Sequence, residues 1–260
     1  SEIHDYRTKN SKWGINFALK KCSMIMVNSE GTLMALRRHY PDNLNLKTAK
    51  VVPNGVDPQY FDIKETKEVA RQKLGIDSNK KIIGYLGRLE TAGREKGASE
   101  IIRSFLMANE DALLYVVGGP DYIVEKYRQG FNNNSKVVFC GQVDYSAVPL
   151  YLRSFDAVII PVPEGELAKT TSPIKLFEYM ASGKIIIAPG IPSITKFLND
   201  NNSLLFNPNK EESLSEQIKV AINNKELAER LSKQSFLDAR KYSWLERAML
   251  ILNLIKSKHG

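Results

Sequence analysis

The sequence predicts an α/β protein built on a doubly wound parallel sheet of the Rossmann-like type. Two observations carry that prediction. Short, wholly apolar runs alternate with amphipathic stretches of helical period from residue 81 to residue 208, and the runs end in glycine or proline. Strands that are apolar throughout, rather than at every second position, are buried on both faces, which is the property of a parallel sheet covered by helices.

The elements follow in order. KIIGYLG (81–87) is a strand and KGASEIIRSFLMA (96–108) a helix. ALLYVVGG (112–119) is a strand, followed by the helical YIVEKYRQG. KVVFCG (136–141) is a strand, AVPLYLRSF is helical, and DAVIIPV (156–162) is a strand. In TTSPIKLFEYMASGKIIIAP (170–189), Ser172 suits the N-cap and Pro173 the first helical position, Gly183 stops the helix, and IIIA is a buried strand. Ile174, Phe177 and Ala181 share one helical face that should pack on the sheet, while Lys175, Glu178 and Ser182 share another. SITKFLND is helical and SLLFNP (203–208) is the sixth strand of the series; residues 211–258 then hold three helical patterns, the last with a wide apolar face. Before residue 81 lie a helix (12–21), the apolar MIMV (24–27), a helix (31–40), the strand-like KVVPN (50–54) and a polar helix (65–74). So few strands make no stable sheet alone. This segment reads as the end of a domain that begins outside the chain, so the 260 residues are expected to be a piece of a longer enzyme or one chain of a split one.

Composition bounds the function loosely. The 260 residues allow one large or two modest domains, and 43% hydrophobic with 25% charged residues is ordinary for a soluble globular chain. No run is long enough to span a bilayer, and no signal peptide is expected. Cys22 and Cys140 are read as reduced core thiols, and three histidines with two cysteines form no zinc-ligand spacing, so no metal is expected. The net charge of +8 suits an anionic ligand, an anionic membrane surface or nucleic acid and chooses among none of them, while no aromatic-plus-basic pattern points to a nucleic-acid module.

In such a sheet, ligands sit beyond the carboxyl ends of the strands. Arg88, after Gly87, offers a fork for phosphate oxygens, and Lys96 places a charge at a helix start; solvated surface cations are the plain alternative. Gly118 and Gly119 allow a ligand or another backbone to come close. Main-chain groups at Gln142 and Val143 could read a flat base, although a simple turn explains them equally well. The helix N-terminus at Thr171–Ser172 points amides at the same crevice. Glu178, too deep in the helix to cap it, could accept from two vicinal hydroxyls; the plain alternative is an i,i+3 surface pair with Lys175.

Taken together, VVPNGVDPQYF (51–61), GRL…KG (87–97), VVGGP (116–120), VVFCGQV (137–143), SPIKLFEYMASGKIIIAP (172–189), SLLFNPN (203–209) and YSW (242–244) resemble the group 1, or family 4, glycosyltransferases of GT-B fold, over nearly the whole chain. The resemblance implies the C-terminal, donor-binding half of such an enzyme. It divides the chain into a remnant of the N-terminal acceptor domain and linker (1–53), a nucleotide-sugar-binding domain (54–240) and a final helix (241–260) that crosses back. It implies retaining transfer of a sugar from a nucleoside-diphosphate sugar to an acceptor in polysaccharide, glycolipid or other glycoconjugate synthesis, with no further cofactor. Arg88 and Lys96 then bind the diphosphate; Gly87 and Gly119 line the donor site, with the main chain near Gln142 and Val143 at the base. Amides around Thr171, Ser172 and Pro173 reach phosphate or sugar, and Glu178 takes the ribose hydroxyls. Many members have a first glutamate where this chain has Thr170; Glu166, ahead of Glu164, is the substitute expected to touch the sugar and to complete the catalytic set with Arg88 and Lys96. The acceptor is unknown, its pocket is expected in the missing domain or a companion chain, and the piece alone is expected to be inactive. The expected location is the cytoplasm, with association at the inner membrane face compatible with the charge. A sugar-nucleotide epimerase and a nucleotide-sugar-binding module without activity are the rival readings.

Overall fold

The computed structural model describes residues 2–3, 9–91, 93–162 and 174–259. Its strands are β1 (Glu2–Ile3), β2 (Met26–Val27), β3 (Lys50–Val51), β4 (Lys81–Leu86), β5 (Glu90–Thr91), β6 (Arg94–Glu95), β7 (Ala112–Val117), β8 (Val137–Gly141), β9 (Ala157–Ile159), β10 (Ile185–Pro189) and β11 (Leu204–Phe206). The helices are α1 (Lys9–Lys21), α2 (Glu30–His39), α3 (Pro58–Phe61), α4 (Lys67–Leu74), α5 (Ala98–Ala108), α6 (Asp121–Gly130), α7 (Val148–Ser154), α8 (Ile174–Ala181), α9 (Pro192–Thr195), α10 (Glu211–Asn223), α11 (Lys225–Ala239) and α12 (Trp244–His259).

The six strands expected between residues 81 and 208 form one sheet in the order β11-β10-β9-β4-β7-β8, all parallel. The chain starts in the middle at β4, winds outward through β7 and β8, then returns to the other side of β4 with β9, β10 and β11. This is the doubly wound order, and its switch point lies between β4 and β9. Alternate residues of each strand enter two different cores. Ile83, Leu114, Val116, Ile159 and Ile187 join the core under α5 and α10. Ile82, Tyr115, Val117, Val158 and Ile186 join the core under α7 and α8. Both faces being buried is why these strands are apolar at every position.

The described residues up to Val51 build a smaller parallel sheet, β1-β2-β3, with a third core around Ile15, Leu19, Ile25, Val27 and Leu36. Its strand β1 and the hairpin β5–β6 were not expected from the sequence. The stretch SITKFLND contributes only the short α9, not a helix along its length. Cys22 and Cys140 are free but half-buried rather than core residues, and burial pushes the Cys140 thiol up to about 11. Helix α12 is tied back to the linker: the Trp244 amide donates to Val56 O at 3.0 Å, Arg247 Nε donates to Pro53 O at 2.9 Å, and the Arg247 guanidinium pairs with Glu2. Its apolar positions Leu245, Met249, Leu252 and Ile255 nevertheless remain exposed among the described residues.

At the amino ends of the strands, opposite the switch-point crevice, sits a buried ionic network. Arg71, 2% exposed, donates to Ser154 O, Ser78 O and Lys80 O and to Asp156, at 2.7–3.0 Å. Asp156 also accepts from Lys67 and from the Ile82 amide. Burial acts to raise the Asp156 carboxyl, but these partners hold it below the usual range. Nearby, Lys184 Nζ donates to Arg153 O at 2.8 Å; burial, with the Arg153 charge adding to it, pulls this lysine from 10.5 down to about 7. Between about 7 and 10.5 the unfolded chain therefore binds a proton that the folded chain does not, and stability rises with pH through that window. Urea unfolding between about pH 7 and pH 9 should show this rise, and Lys184→Met should reduce it, leaving the part above about 8 that Lys175 contributes; an unchanged slope in the variant would reject the assignment.

Candidate functional site

Three strand-end turns lie side by side at the carboxyl edge of the sheet, joined by main-chain bonds. The Gly87 amide donates to Val117 O at 2.8 Å, Leu89 N to Gly119 O at 3.3 Å, and Gly118 N to Gly141 O at 2.7 Å. Gly118 has φ +151°, and a Cβ there would lie 1.8 Å from Gly87 O. Of the two readings of the paired glycines, close approach of another backbone is what Gly118 serves. Gly119 faces Gln142, whose Cβ would lie 3.2 Å from an added methyl group. Gln142 is exposed and Val143 half-buried.

Arg88 is exposed beside this row, its carbonyl held by the buried Tyr85 hydroxyl at 2.9 Å. The hairpin β5–β6 then folds back, and the Lys96 amide donates to Leu89 O at 2.9 Å. Two cations separated in sequence thus flank one turn. The hairpin also alters the helix start after Lys96. Glu95 accepts from the Ser99 amide at 2.6 Å, so a side chain of the protein already caps α5. Gly97, at φ +80°, lets this junction abut the end of β9, where a Cβ would meet Pro161 Cβ at 2.8 Å. The crevice at the switch point is therefore walled by Gly87–Arg88, Lys96–Gly97 and Pro161–Val162.

Helix α8 closes the other side. Tyr179, 1% exposed, accepts from the Leu86 amide at 2.9 Å and donates to Leu86 O at 3.3 Å, which pins the helix to the end of β4. Gly183 follows the helix at φ +64°, as its role of stop signal requires. One face reading needs correction. Phe177 and Ala181 are buried, but Ile174 is 46% exposed; Leu176, Tyr179 and Met180 complete the buried face with Phe177 and Ala181. Ser172, the N-cap expected from the sequence, lies outside the described residues, as do Thr171, Pro173, Glu164, Glu166 and Thr170.

Lys175 does not pair with Glu178. Its ammonium turns inward, donates to Leu86 O and lies 5.4 Å from the Tyr85 ring centroid. The residue as a whole is half-buried, yet the ammonium itself is enclosed. Burial pulls it down to about 8, Lys96 adds a like charge, and Glu178 opposes the shift. Glu178 is half-buried and accepts instead from Tyr145 Oη at 2.8 Å. Tyr145 and Tyr179 went unread in the sequence. Tyr179 had a signal, since a tyrosine inside a buried helical run usually hydrogen-bonds through its hydroxyl. Among the described residues no cluster of histidine, cysteine, aspartate or glutamate could hold a metal ion, and no helix is long and apolar enough to cross a membrane.

The model of the glycosyl transferases group 1 family matches residues 66–237, most of the chain and the whole of the six-stranded sheet. The chain belongs to that family. Its curated relatives include a Bacillus subtilis (strain 168) protein provisionally named a teichuronic acid biosynthesis glycosyltransferase, TuaH, 24% identical over 148 residues. That match takes in 56% of this chain and 35% of TuaH. Solved structures with the same fold include Anabaena HepE in complex with UDP and glucose, with a TM-score of 0.78 at 18% identity over 98% of this chain and 70% of HepE. Sucrose-phosphate synthase from Thermosynechococcus elongatus gives 0.76 at 20% identity, over 97% of this chain and 63% of the synthase. This group 1 family chain thus spans about a third of the curated relative, and under two thirds of the synthase. Its six-stranded sheet is the Rossmann-like sheet of the GT-B glycosyltransferase structures.

Proposed function

We propose that this chain is the donor-binding part of a retaining glycosyltransferase that moves a sugar from a nucleoside-diphosphate sugar to an acceptor in glycoconjugate synthesis. The observation that carries the reading is the concentration of cations at the switch point: exposed Arg88, Lys96 brought back beside it by the hairpin, and the enclosed ammonium of Lys175. Three cations gathered at this place favour a diphosphate. When the sugar–diphosphate bond breaks, negative charge grows on the diphosphate, and fixed cations stabilise it there. In this reading Arg88 and Lys96 hold the diphosphate, and Gly87 and Gly119 admit it closely. The main chain at Gln142 and Val143 meets the base, the amides of Thr171, Ser172 and Pro173 reach phosphate or sugar, and Glu166 touches the sugar. Glu178 takes the ribose. The acceptor pocket belongs to an N-terminal acceptor domain, of which residues 1–53 are a remnant with the linker, or to a companion chain, so sugar transfer by these 260 residues alone is not expected. The solved complex of HepE with UDP and glucose supports the class of ligand.

Glu178→Gln tests the reading. It keeps the shape and removes the charge, so affinity for the nucleoside diphosphate that binds best among UDP, GDP and ADP should fall by about 1.5–3 kcal/mol. The matching 2′,3′-dideoxy nucleotide should bind the unaltered chain poorly and lose little further on substitution, because the partner group is already absent. A coupling energy near zero between substitution and dideoxy ligand would reject the ribose role. Failure of all three nucleotides to bind would remove the donor-site reading altogether.

A further inference from the structure

We propose that Tyr145 is a positioning residue for the sugar nucleotide: its hydroxyl holds one oxygen of the Glu178 carboxylate, so that the rest of the carboxylate is presented, already oriented, to a vicinal diol. The inference rests on the ribose reading of Glu178 above. Tyr145 lies just beyond β8, in the turn Tyr145–Ala147, and its hydroxyl reaches Glu178 Oε1 at 2.8 Å across the crevice. The ring does not belong to a core, being 56% exposed. It is held from behind all the same. Tyr60 stacks on it with centroids 5.4 Å apart and planes 7° from parallel, and Tyr60 Oη donates to Tyr145 O at 3.2 Å. Phe61 meets both rings edge-on. Tyr60 and Phe61 come from α3, directly after Asn54-Gly55-Val56-Asp57, so a linker segment braces a side chain of the sheet's far edge.

The chemistry of the contact suits a bracket rather than a reactive group. Burial, and then the Glu178 carboxylate, push the Tyr145 phenol well above its usual range, so it stays protonated and donating. An ionised carboxylate has about four acceptor positions, and a single phenol donor leaves enough for two ribose hydroxyls. A glutamate on a helix surface otherwise samples several rotamers, and freezing it when the ligand binds costs affinity; holding it beforehand removes that cost. Beside the carboxylate lies a cavity of about 250 Å³, lined by Gly55, Tyr60, Tyr145, Ile174 and Trp244.

Tyr145→Phe is the test, because it keeps the ring and its stack on Tyr60. Binding of UDP, GDP and ADP is measured alongside their 2′,3′-dideoxy analogues, in the parent chain and in the Glu178→Gln background. Loss of the bracket should weaken the preferred ribonucleotide about two- to tenfold, the effect of one more side chain to order. The dideoxy nucleotide should be hardly affected, and Tyr145→Phe should change nothing further once Glu178 is glutamine. Equal losses for both ligands would make the effect merely structural and overturn the proposal, as would no loss. Tighter ribonucleotide binding would show that the hydroxyl competes with the diol, and would overturn it too. If the parent chain fails to distinguish ribo- from dideoxynucleotide, the ribose reading of Glu178 falls and takes this inference with it. If the parent distinguishes them and Tyr145→Phe does so equally well, only the role of Tyr145 falls.

Discussion

Removing the two crevice cations is expected to abolish useful affinity for nucleoside diphosphates. Arg88→Ala or Lys96→Ala alone should cost about 1.5–3 kcal/mol of binding, the range for hydrogen bonds to charged groups. That is roughly a ten- to more than hundredfold rise in Kd. The double variant should lose more than either, without strict additivity, because both groups would face one diphosphate. Arg88 is exposed, so its share should shrink as salt is raised. Folding should hardly change, since exposed cations contribute little to stability. Isothermal titration with UDP, GDP and ADP decides the matter: variants that bind as the parent does would defeat the diphosphate assignment.

The largest effect on stability is expected at the opposite end of the sheet, from Arg71→Met. The substitution keeps an apolar stem but withdraws every donor from Ser154 O, Ser78 O and Lys80 O, and leaves Asp156 with Lys67 and the Ile82 amide alone. Breaking a buried pair while one charge stays behind typically costs about 3–5 kcal/mol. Denaturant unfolding should show a loss of that order. A loss below about 1 kcal/mol would mean that the network relaxes onto water, as exposed pairs do. The site lies far from the crevice, so folded molecules of this variant should bind nucleotide normally, which separates the two predictions.

Much of this molecule is legible along the chain because its information is local. Burial on both faces makes β4, β7, β9 and β10 apolar at consecutive positions, and the glycine or proline that follows each run marks a strand-end turn. Gly183 stopping α8, and the motif pieces that mark the group 1 family, are likewise carried by neighbouring residues. The hairpin β5–β6 escapes such a reading: its legs are two residues each, too short to show any period. So does β1, which exists only because β2 stands beside it.

What the sequence by itself determined is therefore the order of the six main-sheet strands and the type of most elements between them, the crevice they create and the residue types that line it. The tertiary structure alone decided where the ends of long side chains go. Lys175 and Glu178 stand one turn apart and look like a pair, yet Lys175 turns into the end of β4 and Glu178 meets Tyr145, while Ile174 leaves the apolar face for the surface. Helical period specifies the direction of a Cα–Cβ bond. It does not specify which groups from β4, α3 and the turn after β8 will be within reach once the sheet has twisted and closed, and those partners, 33 residues apart in the case of Tyr145 and Glu178, set the choice among rotamers through desolvation and hydrogen bonding.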